Sequence, residues 1–120
     1  MGTFRFENLE IWQRAASLAI KLFRTADALA DNRLYRFAEQ LRGAGLSMSN
    51  NIAEGSGSTS RKEFVQFLNI ARRSTFENAS MVIILAKEKL ISEDEKSEIL
   101  RELDELCRMI TAFSKSLKKT

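Results

Sequence analysis

Four glutamates in the last third of the chain have a spacing that could hold a metal ion. They recur at steps of three and four residues and so share one face of a helix; the four are Glu95, Glu98, Glu102 and Glu105. Carboxylate oxygens are the ligands that hard divalent cations prefer. Lys96, Arg101 and Arg108 are interleaved with them at the spacing of helical ion pairs. This alternation is typical of a solvated helix face, and we predict no metal site there.

The chain contains no histidine, which removes most acid–base and nucleophile chemistry. Neither a Ser-His-Asp or Cys-His system nor the Glu-x-x-His ligands of a di-iron protein can be built without it. Cys107, the single cysteine, has no candidate base beside it and can form no internal disulfide. We expect an ordinary half-buried thiol in a reducing compartment. The sequence therefore predicts no catalytic residue, no cofactor and no enzymatic activity.

A glycine- and serine-rich segment, residues 55–59, has a superficial similarity to a phosphate-binding loop. It lacks the Gly-Lys-Ser/Thr ending, and it joins two helical patterns, whereas a P-loop follows a strand. We expect a flexible connector, preceded by a helix that ends with Gly55 as its C′ glycine.

Helical spacing accounts for almost the whole chain of 120 residues. There is no proline, and apolar residues recur at alternating steps of three and four. Ser60 with Glu63 and Ser92 with Glu95 form capping-box patterns that begin the third and fourth helices. Because the connections are short, we predict one all-α domain over residues 1–120, an antiparallel up-down-up-down four-helix bundle.

The first helix carries two apolar stripes. One consists of Leu9, Trp12, Ala16, Ala19, Phe23, Ala26 and Ala30. The other lies about 100° round the helix and consists of Ile11, Ala15, Leu18, Leu22 and Leu29. A helix with so wide an apolar arc is either buried on two sides or takes part in an oligomer.

Polar residues interrupt the interior stripes of the second and third helices. Asn51, Ser74 and Asn78 fall at positions that should face the core. If the two helices fold back on each other, Arg42 lies opposite the turn that contains Glu77. We predict an Arg42–Glu77 pair within a polar layer that sets the helix register; the alternative is a ligand or RNA contact at its exposed end. The candidate residues of this network are Gln40, Arg42, Asn51, Glu54, Ser74, Glu77 and Asn78.

The net charge of +3 is modest, but the positive charge is unevenly distributed. From Leu106 to the end of the chain, every charged residue is basic. The candidates for contact with nucleic-acid phosphates are Arg33, Arg36, Arg61, Lys62, Arg72, Arg73, Lys115, Lys118 and Lys119. Such contacts give salt-dependent binding of low sequence specificity. Beyond phenylalanine only Tyr35 and Trp12 offer stacking platforms, and Trp12 belongs to a core stripe, so we expect little base readout.

No segment of the chain resembles a signal for export or for membrane insertion. The first residues lack an apolar h-region, and the apolar run 82–86 is far shorter than the about 18 residues of a membrane helix. We expect a cytoplasmic protein with no membrane partner.

Several of these segments together resemble a known family. The segment Phe-Glu-Asn-Leu-Glu-Ile-Trp-Gln-Arg-Ala, residues 6–15, and the string Asn-Ile-Ala-Glu-Gly, residues 51–55, resemble the four helix bundle protein family, also called the 23S rRNA intervening-sequence proteins. The similarity continues in order and spacing up to about Leu90, and the fourth helix contributes little to it. Further matching positions are Gln40, Leu41, Arg42, Ser47, Ser60, Glu63, Phe64, Phe67, Leu68, Ile70, Ala71, Ser74 and Glu77.

This resemblance implies an antiparallel bundle that assembles into a ring, typically a homopentamer, and that has no enzymatic activity. Members are often encoded within insertions in 23S rRNA genes. Related accessory proteins of diversity-generating retroelements are thought to bind nucleic acid and a reverse transcriptase. This sequence departs from the family pattern at Ser49 (commonly proline), at Gly43 (commonly basic) and at Arg73 (commonly glycine). The last two changes move positive charge, so the resemblance does not locate a basic surface.

The sequence leaves two functions open. The first is an RNA- or DNA-binding accessory protein that acts through basic patches, whose affinity a ring would multiply. The alternative is a ring-shaped scaffold that recruits a protein partner, such as a reverse transcriptase, and has no nucleic-acid role. Retention of RNA that weakens with salt distinguishes the first from the second.

Overall fold

Four long helices make up the chain. The computed structural model describes residues 2–119, in which a turn of 3₁₀ helix (Arg5–Asn8) precedes four α-helices. These are α1 (Glu10–Asp31), α2 (Tyr35–Ser56), α3 (Arg61–Lys87) and α4 (Glu93–Lys118). No strand occurs within the described residues, so the predicted all-α class with four helices is confirmed.

Serine hydroxyls begin α3 and α4 at the predicted positions. The Ser60 hydroxyl accepts a hydrogen bond from the backbone N–H of Glu63 at 3.1 Å, and the Ser92 hydroxyl accepts one from Glu95 at 3.0 Å. Each bond satisfies one of the backbone donors that the first turn of a helix leaves free. The caps therefore fix where α3 and α4 begin.

The turns that follow α1 and α3 share one geometry. Arg33 and Lys89 have left-handed φ angles of 65° and 59°. After Arg33 the N–H of Leu34 donates to the carbonyl of Leu29 at 2.9 Å, and the same closure follows Lys89. This is a Schellman arrangement, which satisfies the last carbonyls of a helix and reverses the chain within a few residues.

The apolar core runs along a molecule that measures 48 by 24 by 23 Å. α1 contributes members of both of its stripes, since Leu22 and Ala26 are fully buried and Ala19 is almost fully buried. α1 is therefore covered on two sides along part of its length, one of the two sequence interpretations, whereas Ala16 and Phe23 of the first stripe are only half-buried. α4 contributes the predicted stripe, whose buried members are Ile99, Leu103, Leu106 and Ile110.

Gly55 lies inside α2 rather than at its end, so the predicted C′ glycine is wrong. The helix continues to Ser56, and Gly57 follows as its C-cap. A Cβ atom on Gly55 would lie 2.7 Å from the Phe64 ring and 2.8 Å from the Cβ of Phe67. The glycine is there because α3 approaches α2 too closely for any side chain at this position.

A buried polar layer joins α2 and α3, as predicted, although its members differ from the prediction. The fully buried Asn78 donates through Nδ2 to the backbone carbonyls of Ala44 and Ser74, both at 2.8 Å. The hydroxyls of Ser74 and Ser47 share a hydrogen bond of 2.8 Å. Asn51 donates to the Ser47 carbonyl at 2.8 Å. These bonds give the layer a defined register between the two helices.

The predicted Arg42–Glu77 pair is wrong, because Arg42 forms an ion pair with Asp27 of α1. Ala44 faces α3, and Arg42 lies two residues earlier, about 200° round the helix, so its side chain points toward α1. Three predicted members of the network are exposed and form no side-chain hydrogen bond within residues 2–119: Gln40, Glu54 and Glu77.

Ion pairs join α4 to α1. Lys21 Nζ lies 2.7 Å from carboxylate oxygens of both Glu98 and Glu102, and Arg14 lies 2.7 Å from Glu105. Hydrogen bonds from Lys21 and Arg14 lower the pKa of Glu98 and of Glu105 below the ordinary value of 4.5. The predicted solvated face is thus wrong in part, since these carboxylates fasten α4 to α1. In the described part of the chain, no cluster of acidic, histidine or cysteine side chains could hold a metal ion.

Candidate nucleic-acid interface

A groove between α3 and α4 brings together five of the nine predicted phosphate contacts. Two adjoining hollows of about 440 and 420 Å³ lie along it, where α3 begins and α4 ends. Their basic lining residues are Arg61, Lys62, Arg72, Lys115 and Lys118. No carboxylate is among the described residues that line the two hollows. We call the surface formed by these five residues the basic groove.

Helix geometry explains why residues so distant in sequence meet here. Arg61 opens α3, and Arg72 follows about three turns later on the side of the helix that faces α4. The two lysines lie in the last turns of α4, which pass beside the first turns of α3. Leu68 and Ile110 are buried beneath them and form an apolar floor.

Arg72 is held in place across the groove. Its Nε donates to the hydroxyl of Thr111 on α4 at 3.1 Å, and that hydroxyl donates to the carbonyl of Cys107 at 2.9 Å. The Arg72 guanidinium also lies 5.5 Å from the centre of the Phe76 ring. Because the guanidinium has five donors, most of them stay available for an anion while Nε is engaged.

Uncharged polar side chains complete the lining of the basic groove. Gln66, Asn69 and Ser114 lie along it together with Thr111. Amide and hydroxyl groups of this kind supply hydrogen bonds to phosphate oxygens in nucleic-acid complexes. Sequence reasoning missed them, because nothing in their spacing separates them from ordinary solvated helix positions.

The other four predicted contacts lie apart from the basic groove. Arg73 is exposed and lies about 100° round α3 from Arg72, away from α4. Arg33 lies in the turn before α2, and Arg36 lies in the first turn of α2. Gly55, which contacts the first turns of α3, is about 29 Å along α2 from Arg36. Lys119 is the exposed C-cap of α4 and extends the groove by one residue.

Phe76 is a further residue of this region that sequence reasoning missed. Its side chain is 60% exposed, one turn beyond Arg72 on the α4 side of α3. It also forms one wall of a smaller hollow of about 140 Å³, with Leu100, Asp104 and Cys107 on the α4 side. The signal in the sequence was a large aromatic residue that falls outside the interior stripe of its helix.

A second feature of the surface is an apolar outer face on α1 and α2. Ile20 and Leu46 are 50% and 40% exposed. The helices approach closely at this level, since a Cβ on Gly45 would lie 3.5 Å from the Cβ of Leu22. On the outer side of α2, a Cβ on Gly43 would meet nothing within 4 Å. Helical spacing places Ala16 and Phe23 beside Ile20 on α1, and Gly43 beside Leu46 on α2. We call the surface formed by these five residues the α1–α2 outer face.

The molecule is thus an all-α protein of four helices, with a candidate anion-binding surface in the basic groove between α3 and α4. The chain belongs to the family of 23S rRNA-intervening sequence proteins, whose pattern matches residues 7–112. None of the curated proteins matches it.

A solved structure supports the fold. The chain resembles a crystal structure of a protein of unknown function from the S23 ribosomal protein family of Bacteroides thetaiotaomicron, with a TM-score of 0.83 and 20% sequence identity. The similarity covers 88% of this chain and 98% of that protein. Within the described residues, no helix has the length and apolar character needed to span a membrane.

Proposed function

We propose that this protein is a non-enzymatic, cytoplasmic RNA-binding accessory protein whose basic groove holds the phosphate backbone. The observation that carries the proposal is the convergence of Arg61, Lys62, Arg72, Lys115 and Lys118 on one surface. Like charges brought this close repel one another, and an anionic ligand relieves that repulsion. The family description links these proteins to an intervening sequence of 23S rRNA, which makes RNA the first ligand to test.

The groove supplies affinity through electrostatics. Each lysine or arginine that neutralises a phosphate releases a condensed counterion, so the binding constant falls as salt rises. Arg72 is placed to give directional hydrogen bonds, because Thr111 fixes its orientation. The charged side chains of the groove contact the backbone and carry no sequence information, so we expect binding of low sequence specificity.

Paired charge removal tests the position of the site. The variant Lys115→Gln/Lys118→Gln removes two charges from the groove, and Arg33→Gln/Arg36→Gln removes two charges at the other end of α2. Filter binding of single-stranded RNA at about 0.05 and 0.2 M salt should show a salt slope reduced by about 1.4 in the groove variant alone. Equal losses in both variants would mean that net charge, and not the groove, binds the RNA.

We further propose an antiparallel up-down-up-down arrangement that assembles into a homo-oligomeric ring, a pentamer. The order of contacts supports the antiparallel arrangement, because residue numbers fall along α2 as they rise along α3: Gly55 meets Phe64, Ser47 meets Ser74, and Ala44 meets Asn78.

The exposed Ile20 and Leu46 of the α1–α2 outer face support assembly, since water contact at both is costly. Gly43 leaves room for a second copy to approach.

A scaffold that recruits a protein partner is the second candidate. The observation in its favour is a set of exposed apolar side chains on α2 and α3, namely Phe37, Ile70 and Ile84. Apolar side chains of this size favour protein contacts over phosphate contacts. RNA binding that is absent at low salt, from a protein that assembles normally, would support the scaffold and remove the RNA-binding proposal.

A further inference from the structure

The basic groove does not end at Arg72, because Phe76 continues it by one helical turn. The side chain of Phe76 is 60% exposed, and its ring lies 5.5 Å from the Arg72 guanidinium. An exposed aromatic ring beside a row of cations is a surface on which a flat ligand can stack. The ligand must also tolerate the cation beside it.

In the described part of the chain, the row of unpaired basic side chains that lines the groove does not continue into the hollow beside Phe76. The hollow beside the ring contains one charged residue, Asp104, whose carboxylate lies 3.0 Å from the Nε of Arg108. The remaining wall is apolar or weakly polar, with Leu100 and Cys107 opposite the ring. A phosphate is disfavoured beside the Asp104 carboxylate, whereas a flat uncharged ring fits the apolar wall.

We propose that the basic groove takes single-stranded RNA, with an unpaired base stacked on Phe76 while the neighbouring phosphates lie on Arg72, Lys115 and Lys118. This inference rests on the proposed function. A cationic groove with an aromatic platform beside it is how proteins hold single strands of nucleic acid. In a duplex the bases are already paired and stacked, so no base face is free for Phe76.

Arg72 has two functions in this arrangement. Its guanidinium lies 5.5 Å from the centre of the Phe76 ring, a separation that suits a phosphate next to a stacked base of the same strand. The contact with the ring also orients Phe76 through a cation–π interaction. Thr111 fixes the guanidinium from the other side, so the platform and the phosphate contact are both arranged before RNA arrives.

The test compares a labelled oligouridine of about 12 nucleotides with an RNA duplex of the same length by fluorescence anisotropy. Phe76→Ala should weaken oligouridine binding about tenfold and leave the duplex unchanged. The salt slope should not change, because no phosphate contact is lost. Phe76→Trp should bind oligouridine as tightly as the wild type or more tightly, since an indole ring also stacks on bases. The matched control is Phe37→Ala, which removes an exposed phenylalanine on a different helix, α2, and should leave the affinity for both probes unchanged.

The outcomes separate this inference from the proposed function. If Phe76→Ala weakens both probes equally, or neither, the stacking platform is wrong. If Lys115→Gln/Lys118→Gln leaves both probes unaffected, the groove is not the RNA site and the proposed function fails with it. Sedimentation of Phe76→Ala provides the remaining check. A change in its assembly state would show that Phe76 contacts another protein chain, and this would also overturn the stacking role.

Discussion

At the scale of single residues, Asn78 is the polar group on which the packing of α2 against α3 depends most directly. Its amide donates to two backbone carbonyls, whereas its Oδ1 is buried with no hydrogen-bond partner in the described structure. An orphaned buried acceptor is a cost that the fold carries. The bond to Ala44 joins α3 to α2, and the bond to Ser74 lies within one turn of α3. Together they offset that cost, and the first fixes the register between the two helices.

Replacing Asn78 by a charged or by an apolar residue of similar shape should therefore lower stability by unequal amounts. Asn78→Asp should lower the free energy of unfolding at pH 7 by about 3 kcal/mol, because a carboxylate cannot donate to carbonyls and is buried without a cation. Asn78→Leu keeps the branched shape and removes the orphan oxygen together with the two donated bonds, so it should cost less, about 1.5 kcal/mol. Urea denaturation measures both, with the exposed Ser80→Ala as control. Wild-type stability of Asn78→Asp at neutral pH would contradict the buried layer.

Gly55 and Gly43, both within α2, should respond in opposite ways to alanine. Gly55→Ala should lower the free energy of unfolding by about 2 kcal/mol, because the new methyl would overlap Phe64 and Phe67. Gly43→Ala should raise it by about 1 kcal/mol in the monomer, where its Cβ meets nothing. Denaturation at low protein concentration measures both. The reverse order would contradict the helix packing described above.

The sequence predicted which of these residues face the interior, but it did not always predict their structural roles. The stripe of α3 placed Asn78 and Ser74 in the interior, because helical periodicity determines which side of a helix is buried. It could not show that Gly55 is needed for a close helix contact, since a glycine before a Gly-Ser segment also fits a helix end. Only the position of Phe64 on the neighbouring helix decides between these roles.

At the scale of helices, the contact between α1 and α4 differs from the others because three ion pairs run along it, whereas a single ion pair joins α1 to α2 within residues 2–119. Lys21 and Arg14 on α1 each reach carboxylates of α4. All of these side chains are partly exposed, so salt should weaken the pairs. Their contribution depends on pH through Glu98 and Glu105, whose pKa is lower in the folded chain than its ordinary value.

The double variant Glu98→Gln/Glu105→Gln tests this contact. A carboxyl with a depressed pKa stabilises the fold above its unfolded pKa, near 4.5, and loses that effect as pH falls through the folded value. We therefore expect the variant to melt below the wild type at pH 7, and the difference to shrink as the pH falls below about 4. Thermal melting followed by circular dichroism measures both. Glu77→Gln, at an exposed position without an ion pair in the described structure, is the control and should melt like the wild type at each pH.

Local sequence signals predicted the helices well, whereas the pairing of the helices was only partly predictable. Ser60 and Ser92 cap their helices as predicted, because capping involves residues three apart. The pairing of Arg42 with Asp27 was missed, because it depends on which neighbouring helix each side of α2 faces. The glutamates of α4 were assigned to solvent for the same reason. A charge pattern within one helix does not reveal a cation on another.

At the scale of the whole molecule, the candidate RNA site exists only because α3 and α4 pack together. The basic residues come from the segments 61–72 and 115–118, and neither segment is unusual by itself. The sequence predicted all five members of the groove but placed them in one set with Arg33 and Arg36, which lie elsewhere. The set could be divided only when the helix packing gave each cation a position.

Assembly should multiply the effect of one groove, and it can be tested without altering that groove. Several weak sites on one particle bind a long RNA far more tightly than a single site. Ile20→Glu/Leu46→Glu places carboxylates on the α1–α2 outer face and should reduce the particle to a species of 13.7 kDa in sedimentation. Affinity for long RNA should fall, while affinity for a short oligonucleotide should stay nearly constant. The matched control adds the same two negative charges at exposed positions on α3 and α4 outside the basic groove, Ser80→Glu/Ser97→Glu. A wild-type protein that already sediments at 13.7 kDa would contradict the proposed ring, and the RNA proposal would then rest on a single groove.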